Sequence, residues 1–429
     1  MTKVAIVGTG YVGLTTGACL AHLGHEVVCA DVNEEKVALL SRGEIPFLED
    51  ELDDLVAEGT NTGRLRFVVG AKAAVVECEV AFLCVPTPQN PDGSADLTFI
   101  EKASRDIVDV LPSKAILVNK STVPIGTARV VEEVLERIGV PVVSNPEFLR
   151  EGSAVRDFLH PDRIVIGTND PVAGAAVAAL YEGVPAPVVV TDPVSSETIK
   201  YAANAFLATR LSFVNAIAAV CEGVGANMND VIMGLGYDSR IGSDYLQPGP
   251  GWGGSCLPKD TNALVRIAED VGYDFRFLKS VIEVNEEQFS RVVTKVRRAA
   301  GGELKGREVA IWGLTFKAGT DDLRDSPALE ILNRLVSEGP KIRAYDPTVG
   351  TNTLHSAGLD GLVELVPDSM SACDGAAVLV VLTDWDEFGD LDPLTVAARM
   401  TSRAVVDARN ALDKISWQRA GFDYQGIGC

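Results

Sequence analysis

The stretch Gly249–Asp260, GPGWGGSCLPKD, places a cysteine in surroundings that suit nucleophilic chemistry. Four glycines precede Cys256, so a substrate and the backbone can approach each other with few side chains between them. A helix that begins near Leu257 and Pro258 would favour the thiolate through its N-terminus, and Lys259 would add to that effect. Because the thiolate is the form that attacks a carbonyl carbon, the stretch predicts a cysteine nucleophile. The alternative is an inert cysteine buried in a loop.

Two further pairs of residues have the spacing of one helix face. Lys200 and Asn204 are four residues apart in IKYAAN, where an ammonium and an amide side by side would hold a developing oxyanion. Glu147 and Glu151 have the same spacing in NPEFLREGSA. A carboxyl group there with a raised pKa would serve in proton transfer. Each pair taken singly also fits a structural ion pair or a solvated surface.

The N-terminal stretch VAIVGTGYVG contains the spacing of a dinucleotide-binding turn. Gly8, Gly10 and Gly13 follow an apolar strand pattern directly and precede a helical one. The next predicted strand, HEVVCAD, ends at Asp31, eighteen residues after Gly13, where a carboxylate accepts hydrogen bonds from ribose hydroxyls and repels a 2′-phosphate. The pattern therefore predicts a site for NAD rather than NADP. The alternative is a glycine turn that binds nothing.

The totals narrow the class of protein. The chain has 429 residues, too many for one ordinary core, and a net charge of −22 disfavours nucleic acid or an anionic membrane as partners. We find no run of about eighteen apolar residues typical of a membrane span. The eight cysteines lack the spacing of a disulfide framework, and no Cys/His cluster predicts a metal site. The N-terminal apolar run leads into the glycine turn rather than a cleavage site, so we expect a cytoplasmic protein.

Strand and helix patterns alternate along the first 190 residues and predict a mostly parallel, doubly wound sheet. We expect helices at Ala18–Leu23, Ile100–Val110 and Ala128–Ile138. The predicted strands are KVAIVG, EVVCAD, LRFVV, VAFLCV, AILVNK, PVVS, DRIVIG and APVVVT.

The pattern becomes purely helical from about Pro193 to Ala300. The stretch from Ser195 to Val224 predicts one long helix with Glu197 and Glu222 near its ends, and its small apolar residues recur on more than one face. We expect this block to supply dimer contacts. The last third returns to strands at REVAIWGLTFK, KIRAYDP, AAVLVVLT and SRAVVDARN, with a helix at SPALEILNRLVSEG.

The predicted fold class is therefore α/β, with two Rossmann-like doubly wound domains joined by a helical central domain that contains a long helix. The predicted domains are residues 1–192 for NAD, 193–300 for dimerisation and 301–429 for the substrate. The second sheet has only Gly313 in place of the glycine pattern, so it should not hold a second dinucleotide in the same way. Its loop FKAGTDDLRDSP contains Lys317 and Arg324, which would face an anionic ligand unless the loop is merely solvated.

Taken together, the chain resembles the UDP-glucose/GDP-mannose dehydrogenase family, and most closely its UDP-glucose 6-dehydrogenase branch. The resemblance runs from Lys3 to about Leu412. It is carried, in the family's order, by GTGYVGL, CVPTP, KSTVPIGT, NPEFLREGSAVRDFLHPDRIVIG, IKYAANAFLATRLSFVNAIA, GPGWGGSCLPKD and FKAGTDDLRDSP. Three positions depart from the residues that the resemblance leads us to expect: Pro86 and Ala408 in place of glycine, and Trp252 in place of phenylalanine. The resemblance also implies that Arg409, beside Ala408, meets the sugar or the nucleotide.

The resemblance implies roles for particular residues. Those with catalytic roles are Cys256 as nucleophile, Lys200 and Asn204 for the oxyanion, and Asp260, Thr122 and Glu147 for protons and water. Those that match cofactor positions are Gly8, Gly10, Tyr11, Val12, Gly13, Asp31, Lys36, Thr87, Thr122, Glu151, Lys259 and Arg324. Those that match substrate positions are Phe148, Leu149, Arg150, Glu151, Gly152, Lys200, Asn204, Tyr245, Leu246, Gln247, Pro248, Gly249, Gly253 and Lys317.

The resemblance also implies the reaction, a four-electron oxidation of UDP-glucose to UDP-glucuronate by NAD through a thiohemiacetal and a thioester on Cys256. UDP-glucuronate is a building block for polysaccharide biosynthesis. Two alternatives are also NAD-dependent dehydrogenases. One carries out the same chemistry on GDP-mannose or a UDP-N-acetylhexosamine, and the other is a single-step hydroxyacid dehydrogenase. The latter would usually use a histidine base, yet His22, His25, His160 and His355 all lie outside the motifs. A third alternative is a catalytically silent NAD-binding scaffold.

Overall fold

The computed structural model of the chain describes residues 1–135, 139–350, 358–359 and 361–428. The predicted helix end at Ile138, and also His355 and Cys429, lie outside the described residues. The chain forms two compact units. Unit 1 comprises Met1–Ala203 and Asn262–Tyr273, and unit 2 comprises Asn204–Thr261 and the chain from Asp274 onward.

Unit 1 contains a doubly wound sheet of eight strands in the order β3-β2-β1-β4-β5-β6-β7-β8. All neighbouring strands are parallel except β6 and β7. The strands are β1 Lys3–Val7, β2 Glu26–Asp31, β3 Leu65–Val69, β4 Val80–Leu83, β5 Ile116–Asn119, β6 Val142–Ser144, β7 Ile164–Gly167 and β8 Val188–Thr191. The order of the first six is that of a dinucleotide-binding sheet, whose ligand crevice lies at the carboxyl ends of the strands where the order reverses, here between β1 and β4.

The helices that precede the long helix connect these strands. They are α1 Tyr11–His22, α2 Glu34–Ser41, α3 Leu52–Asn61, α4 Ala71–Val75, α5 Thr98–Ile107, α6 Thr127–Leu135, α7 Ala154–Leu159 and α8 Pro171–Ala179. The sequence analysis places this helix at Ala18–Leu23, whereas the structure begins it at Tyr11 and so includes Gly13 and Gly17, residues that ordinarily disfavour a helix. Packing explains Gly17: a Cβ there would lie 2.5 Å from the Cys29 Sγ, so the helix depends on close approach to the sheet.

The middle of the chain is helical, as predicted. Its helices are α9 Pro193–Val224, α10 Met228–Gly236, α11 Leu257–Asp270 and α12 Arg276–Ala299. Among the described residues, α9 alone is long and apolar enough to cross a membrane by length and composition. The helix is apolar on average but is not a continuous apolar run, since Thr209 and Arg210 interrupt it. The helix nevertheless carries Glu197, Lys200 and Asn204, buried with polar partners, which is typical of a helix in a protein core.

Unit 2 contains a second, fully parallel sheet in the order β11-β10-β9-β12-β13-β14. This is the strand order of the first six strands of unit 1, so the predicted fold class, with two Rossmann-like sheets, is confirmed. The strands are β9 Glu308–Trp312, β10 Lys341–Tyr345, β11 Val363–Leu365, β12 Val378–Val381, β13 Ala404–Asp407 and β14 Asp423–Gly426. The helices are α13 Pro327–Val336, α14 Ser369–Ala372, α15 Asp386–Gly389, α16 Pro393–Arg399 and α17 Lys414–Arg419.

The central strands of each sheet are buried on both faces, so they are continuous apolar runs. In β1, Val4 and Ile6 belong to one cluster of buried side chains while Ala5 and Val7 belong to another. The central strand β9 of unit 2 alternates in the same way. On one face of that sheet, residues of α9, α10 and α12 complete the core. The second half of α9, with α10 and α12, is therefore part of the hydrophobic core of unit 2.

Candidate functional site

Each of the three glycines in the turn after β1 is needed for a different structural reason. Gly8 has φ +101°, and its N–H donates to the Ala30 carbonyl at 2.8 Å, which closes the tight turn. A Cβ on Gly13 would lie 2.0 Å from the Gly8 carbonyl oxygen, so α1 can pack against the turn only with glycine there. Apart from the adjoining backbone, no atom of the described residues lies within 4 Å of the position that a Cβ on Gly10 would take. The open space at Gly10, ahead of Tyr11 and Val12 in the first turn of α1, fits a pyrophosphate.

Asp31 ends β2 beside this turn and remains partly exposed. Its carboxylate accepts hydrogen bonds from the Thr9 hydroxyl at 2.6 Å and from the backbone N–H of Asn33, and Lys36 Nζ lies 3.4 Å away. Burial acts to raise the pKa of Asp31, but these hydrogen bonds and the Lys36 charge outweigh it, so the pKa lies below its ordinary value. An ionised carboxylate at this position fits a ribose diol.

The loop after β5 carries a second predicted cofactor residue. Thr87 Oγ1 donates to the Thr122 carbonyl at 2.8 Å, and Ser121 Oγ donates to the Val85 carbonyl at 2.6 Å. Both bonds join the loops that follow β4 and β5. The structure therefore brings Thr87 and Thr122 together at the carboxyl edge where the sheet order reverses.

A buried ion pair joins α9 to the loop after β6. Lys200 Nζ lies 2.8 Å from Glu147 Oε1, and both side chains are only 4% exposed. Glu147 Oε2 also accepts the Leu149 N–H at 2.6 Å. Burial acts to raise the pKa of Glu147, but the Lys200 ammonium and these hydrogen bonds outweigh it, so the pKa lies below its ordinary value. The raised pKa expected for a proton donor is thus reversed at Glu147, which is an ionised carboxylate.

The segment that contains Glu147 and Glu151 is a loop, so the prediction that the two share a helix face is wrong. It connects β6 to α7, and its residues are in neither a helix nor a strand. Phe148 is stacked by Arg163, whose guanidinium carbon lies 3.6 Å from the ring centroid. Glu151 lies in the turn that follows, before Gly152, which has φ +77°.

Glu49, which the sequence analysis missed, holds the end of this loop against the cofactor turn. Its buried carboxylate accepts the N–H groups of Gly152 and Ala154, each at 2.6 Å, and the Tyr11 hydroxyl. The Arg150 guanidinium is paired with Asp157 at 2.6 Å. The local sequence FLEDEL gives no signal for these contacts, because Glu49 lies about a hundred residues from its backbone partners.

In unit 2, Cys256 directly precedes α11, as predicted. Its carbonyl accepts the Asp260 N–H at 3.0 Å, the first bond of the helix, and its thiol is partly exposed. The other described cysteines are buried, and burial raises the pKa of the Cys78, Cys84 and Cys373 thiols to about 12. Among the described cysteines, Cys256 is therefore the accessible thiol, at the positive end of a helix dipole.

Asp260, four residues after Cys256, is hydrogen-bonded to Asn204 of α9. Asn204 Nδ2 donates to Asp260 Oδ2 at 2.6 Å, and Lys259 Nζ lies 2.5 Å from Asp260 Oδ1. Asp260 is 1% exposed. A buried carboxylate with an amide on one oxygen and an ammonium on the other has a fixed orientation, which a general base requires.

The glycines before Cys256 serve packing more than the open approach that the sequence suggests. A Cβ on Gly251 would lie 2.4 Å from Phe289, and one on Gly254 would lie 2.8 Å from Phe316. At Gly253 it would lie 2.0 Å from the Asp325 carbonyl. Gly249 has only the Ala408 carbonyl at 3.8 Å, so it is the position with room beside it.

Polar side chains of α9 and α12 clamp this loop on both sides. Asn215 Oδ1 accepts the Gly249 N–H at 2.8 Å, and Gln288 Nε2 donates to the Gly249 carbonyl at 2.7 Å. The Trp252 indole N–H donates to Ser212 Oγ at 2.8 Å. The indole N–H of the buried Trp252 side chain therefore has a hydrogen-bond partner within this chain. The preceding substrate-loop residues are Tyr245, at φ +55°, buried Leu246 and Pro248, and exposed Gln247.

The turn after β9 repeats the geometry of the first turn without its phosphate site. Gly313 donates to the Tyr345 carbonyl at 2.8 Å, as Gly8 does to Ala30. Asp346, which directly follows the next strand, is buried, and its carboxylate accepts hydrogen bonds from the Leu314 and Thr315 N–H groups and other donors. No helix begins at this turn. This agrees with the expectation that the second sheet does not hold a dinucleotide in the same way.

Other cations of unit 2 lie at the carboxyl edge of its sheet and in the loop after β9. Arg409 donates from Nε to the Leu382 carbonyl at 2.9 Å and from its terminal nitrogen to the Phe316 carbonyl. Lys317 lies over the Phe316 ring, 5.6 Å from its centroid. Arg324 is exposed and paired with Asp322 at 2.7 Å. These residues present positive charge in a chain that is acidic overall.

Comparison with known proteins assigns the family. Three family models match: the NAD binding domain of the UDP-glucose/GDP-mannose dehydrogenase family over residues 2–184, its central domain over 194–287, and its UDP binding domain over 310–414. The chain therefore belongs to the UDP-glucose/GDP-mannose dehydrogenase family, as the sequence analysis predicted.

Individual relatives are similar to this chain over more than nine-tenths of their length. The chain is 42% identical to the UDP-glucose 6-dehydrogenase TuaD of Bacillus subtilis strain 168, over 100% of this chain and 93% of the relative. A solved UDP-glucose dehydrogenase of Pyrobaculum islandicum is 36% identical with a TM-score of 0.91, covering 100% of this chain and 98% of that one. A solved UDP-D-ManNAc dehydrogenase of Pyrococcus horikoshii is 26% identical with a TM-score of 0.88, covering 99% of each chain.

The open space at Gly10 gives a test of the cofactor site. We expect Gly10→Ala to raise the Kd for NAD about tenfold, because the methyl group enters the space left for the pyrophosphate. The lost glycine cap should cost at most about 1 kcal/mol, or about 2–4 °C in Tm. Gly13→Ala is the matched control, and its clash with the Gly8 carbonyl should lower Tm further. Unchanged NAD affinity in a folded Gly10→Ala protein would contradict this assignment.

Proposed function

We propose that this chain oxidises UDP-glucose to UDP-glucuronate in two NAD-dependent steps, with Cys256 as the covalent nucleophile. The observation that carries the proposal is the accessible thiol at the start of α11, in a fold whose other described cysteines are buried. The predicted enzyme class, an NAD-dependent nucleotide-sugar dehydrogenase, is confirmed by the family models and the curated relatives.

The chemistry of the reaction explains why a thiol is needed. The primary alcohol at C6 first becomes an aldehyde, which is a poor hydride donor until a nucleophile adds to it. When bound, NAD supplies the hydride acceptor, and two NAD molecules are needed in succession, one for each oxidation. In our proposal the Cys256 thiolate adds to the aldehyde carbon to form a thiohemiacetal. Its oxidation leaves a thioester on Cys256, which water hydrolyses to the acid and the free thiol.

The contacts within each unit support the proposed roles of the other residues. Lys200 and Asn204 are buried donors one turn apart on α9, where they would hold the oxyanion. Asp260, oriented by Asn204 and Lys259, is our candidate for the base of the first oxidation, acting through water with Thr122. Glu147, which is ionised, would instead accept a proton from the water that hydrolyses the thioester.

The other predicted site residues keep the roles given by their positions. Gly8, Gly10, Gly13, Asp31, Lys36 and Thr87 would hold NAD in unit 1, while the loop Phe148–Gly152 would contact the nucleotide sugar. In unit 2 we propose the segment Tyr245–Gly249, Gly253 and Lys317 for the nucleotide sugar. The alternative is the same reaction on a UDP-N-acetylhexosamine or on GDP-mannose. Activity assays with UDP-glucose and with these two substrates distinguish the possibilities.

A row of exposed apolar side chains on α9 supports a dimer. Phe206, Phe213 and Val220 are seven residues apart in turn and 62%, 53% and 57% exposed. Seven residues make about two helical turns, so the three share one face, and an apolar stripe of this kind marks a protein interface. The domain bounds 1–192, 193–300 and 301–429, the cytoplasmic location and the absence of membrane or nucleic-acid partners stay predictions.

The nucleophile is tested by Cys256→Ala. We expect the rate of UDP-glucuronate formation to fall on the order of 10³-fold or more, because the thiohemiacetal cannot form, while Tm and the Kd for NAD stay at wild-type values. Iodoacetamide should label Cys256 in the wild type, as mass spectrometry of peptides shows. Cys78 and Cys84 serve as protected controls. Acid formation at the normal rate in the alanine variant would rule out covalent catalysis.

The dimer is tested by Phe213→Glu. A charge in the middle of the apolar stripe should halve the mass measured by light scattering after gel filtration, because a carboxylate buried without a partner opposes association. Val172→Glu on α8 is the matched control, since Val172 is 79% exposed and lies outside the stripe. A monomeric wild type, or a Phe213→Glu protein of unchanged mass, would refute this interface.

A further inference from the structure

Glu197 is a buried carboxylate for which the mechanism above has no use. It lies on α9, three residues before Lys200, and is 2% exposed. The sequence suggests only a charge near a helix start. In the structure its two oxygens accept the N–H groups of Gly126, at 2.5 Å, and Ala128, at 2.9 Å.

These two N–H groups belong to the beginning of α6. Gly126 immediately precedes the helix Thr127–Leu135, and Ala128 is its second residue. The first N–H groups of a helix have no partner within the helix, and a carboxylate that accepts them also meets the positive end of the helix dipole. Glu197 therefore caps α6 from a different helix, seventy residues away in sequence.

The cap fixes one end of the loop that carries Thr122. The other end is held by the bonds from Thr87 to Thr122 and from Ser121 to Val85. The loop that contains the proposed cofactor residue is thus fastened at both ends. One fastening comes from α9, where Ser196 Oγ also lies 3.2 Å from Ser144 Oγ.

We propose that Glu197 is a positioning residue for NAD: it holds the loop Ser121–Gly126 in the conformation that presents Thr122 to the cofactor. The proposal rests on the cofactor role of Thr122 given above. It also links the cofactor loop to the helix that carries Lys200.

The surroundings of Glu197 make this cap sensitive to pH. Burial raises its pKa to about 7 against the opposing effect of the two N–H groups, and Asp192, which precedes α9, and Glu132 on α6 add to the rise. Lys200 is on the same helix, but its ammonium is bonded to Glu147. Below about pH 7 the carboxyl group takes up a proton and becomes a weaker acceptor for the helix N–H groups.

Affinity and stability should therefore respond to pH in opposite directions. The pKa of Glu197 in the folded chain lies above its ordinary value of 4.5, so its contribution to stability is present below that value and is lost as pH rises towards 7. NAD affinity should instead increase as the pH rises through 7. An effect that arose only from stability would not produce that increase.

The test is the Kd for NAD of the full-length chain, measured by calorimetry between pH 5.5 and 8.5 without any sugar. For the wild type we expect Kd to rise about three- to tenfold from pH 8 to pH 6. Glu197→Gln keeps the shape but replaces one acceptor by a donor, so it should bind about tenfold more weakly at pH 8 and show no such pH dependence. Glu132→Gln is the matched control and should keep the wild-type affinity at pH 8.

A second variant covers a failure of Glu197→Gln to fold. Glu197→Asp keeps the charge, but its side chain is one methylene shorter, so the carboxylate lies farther from the Gly126 and Ala128 N–H groups. We therefore expect weaker NAD binding with the pH dependence retained. Wild-type affinity in either variant, or a wild-type pH dependence in Glu197→Gln, would overturn the proposal. Since no sugar is present, these outcomes are independent of whether the chain oxidises UDP-glucose.

Discussion

The ion pair between Lys200 and Glu147 is the interaction on which the site in unit 1 depends. Its two charges are almost fully buried at 2.8 Å, so each is tolerable only while the other is present. Removal of either partner would leave an unpaired buried charge at a cost of about 3–5 kcal/mol. The pair fixes the loop after β6 against α9, and the Phe148–Gly152 segment proposed to meet the substrate takes its position from that anchor.

Buried carboxylates with no proposed catalytic role also hold loops of the site in place. Glu49 fastens the far end of that loop to Tyr11 of the cofactor turn, and Glu197 fastens the loop of Thr122 to α9. In unit 2, Asn204 and Lys259 orient Asp260. A chain with a net charge of −22 thus uses buried acidic groups to hold loops that must bind an anionic cofactor and an anionic sugar nucleotide.

Local patterns predicted the fold class and much of the site, because its chemistry follows local motifs. The glycine turn, the end of β2 at Asp31 and the start of α11 after Cys256 all depend on neighbours in sequence. The strands β11 and β14 were not predicted, since VEL and DYQG are short and partly polar. The four-residue spacing of Glu147 and Glu151 predicted a helix, but contacts distant in sequence, with Lys200 and Glu49, hold this segment as a loop. The roles of Glu49 and Glu197 could not be predicted from local sequence, because only the folded sheet brings their hydrogen-bond partners close to them.

The central claim is that one thiol carries the sugar through two oxidations, and the number of NADH molecules released per molecule of limiting UDP-glucose tests it most directly. With NAD in excess, absorbance at 340 nm and quantified UDP-glucuronate should give two NADH per sugar consumed. One NADH per sugar would mean that the reaction stops at the aldehyde, and it would contradict the role of Cys256.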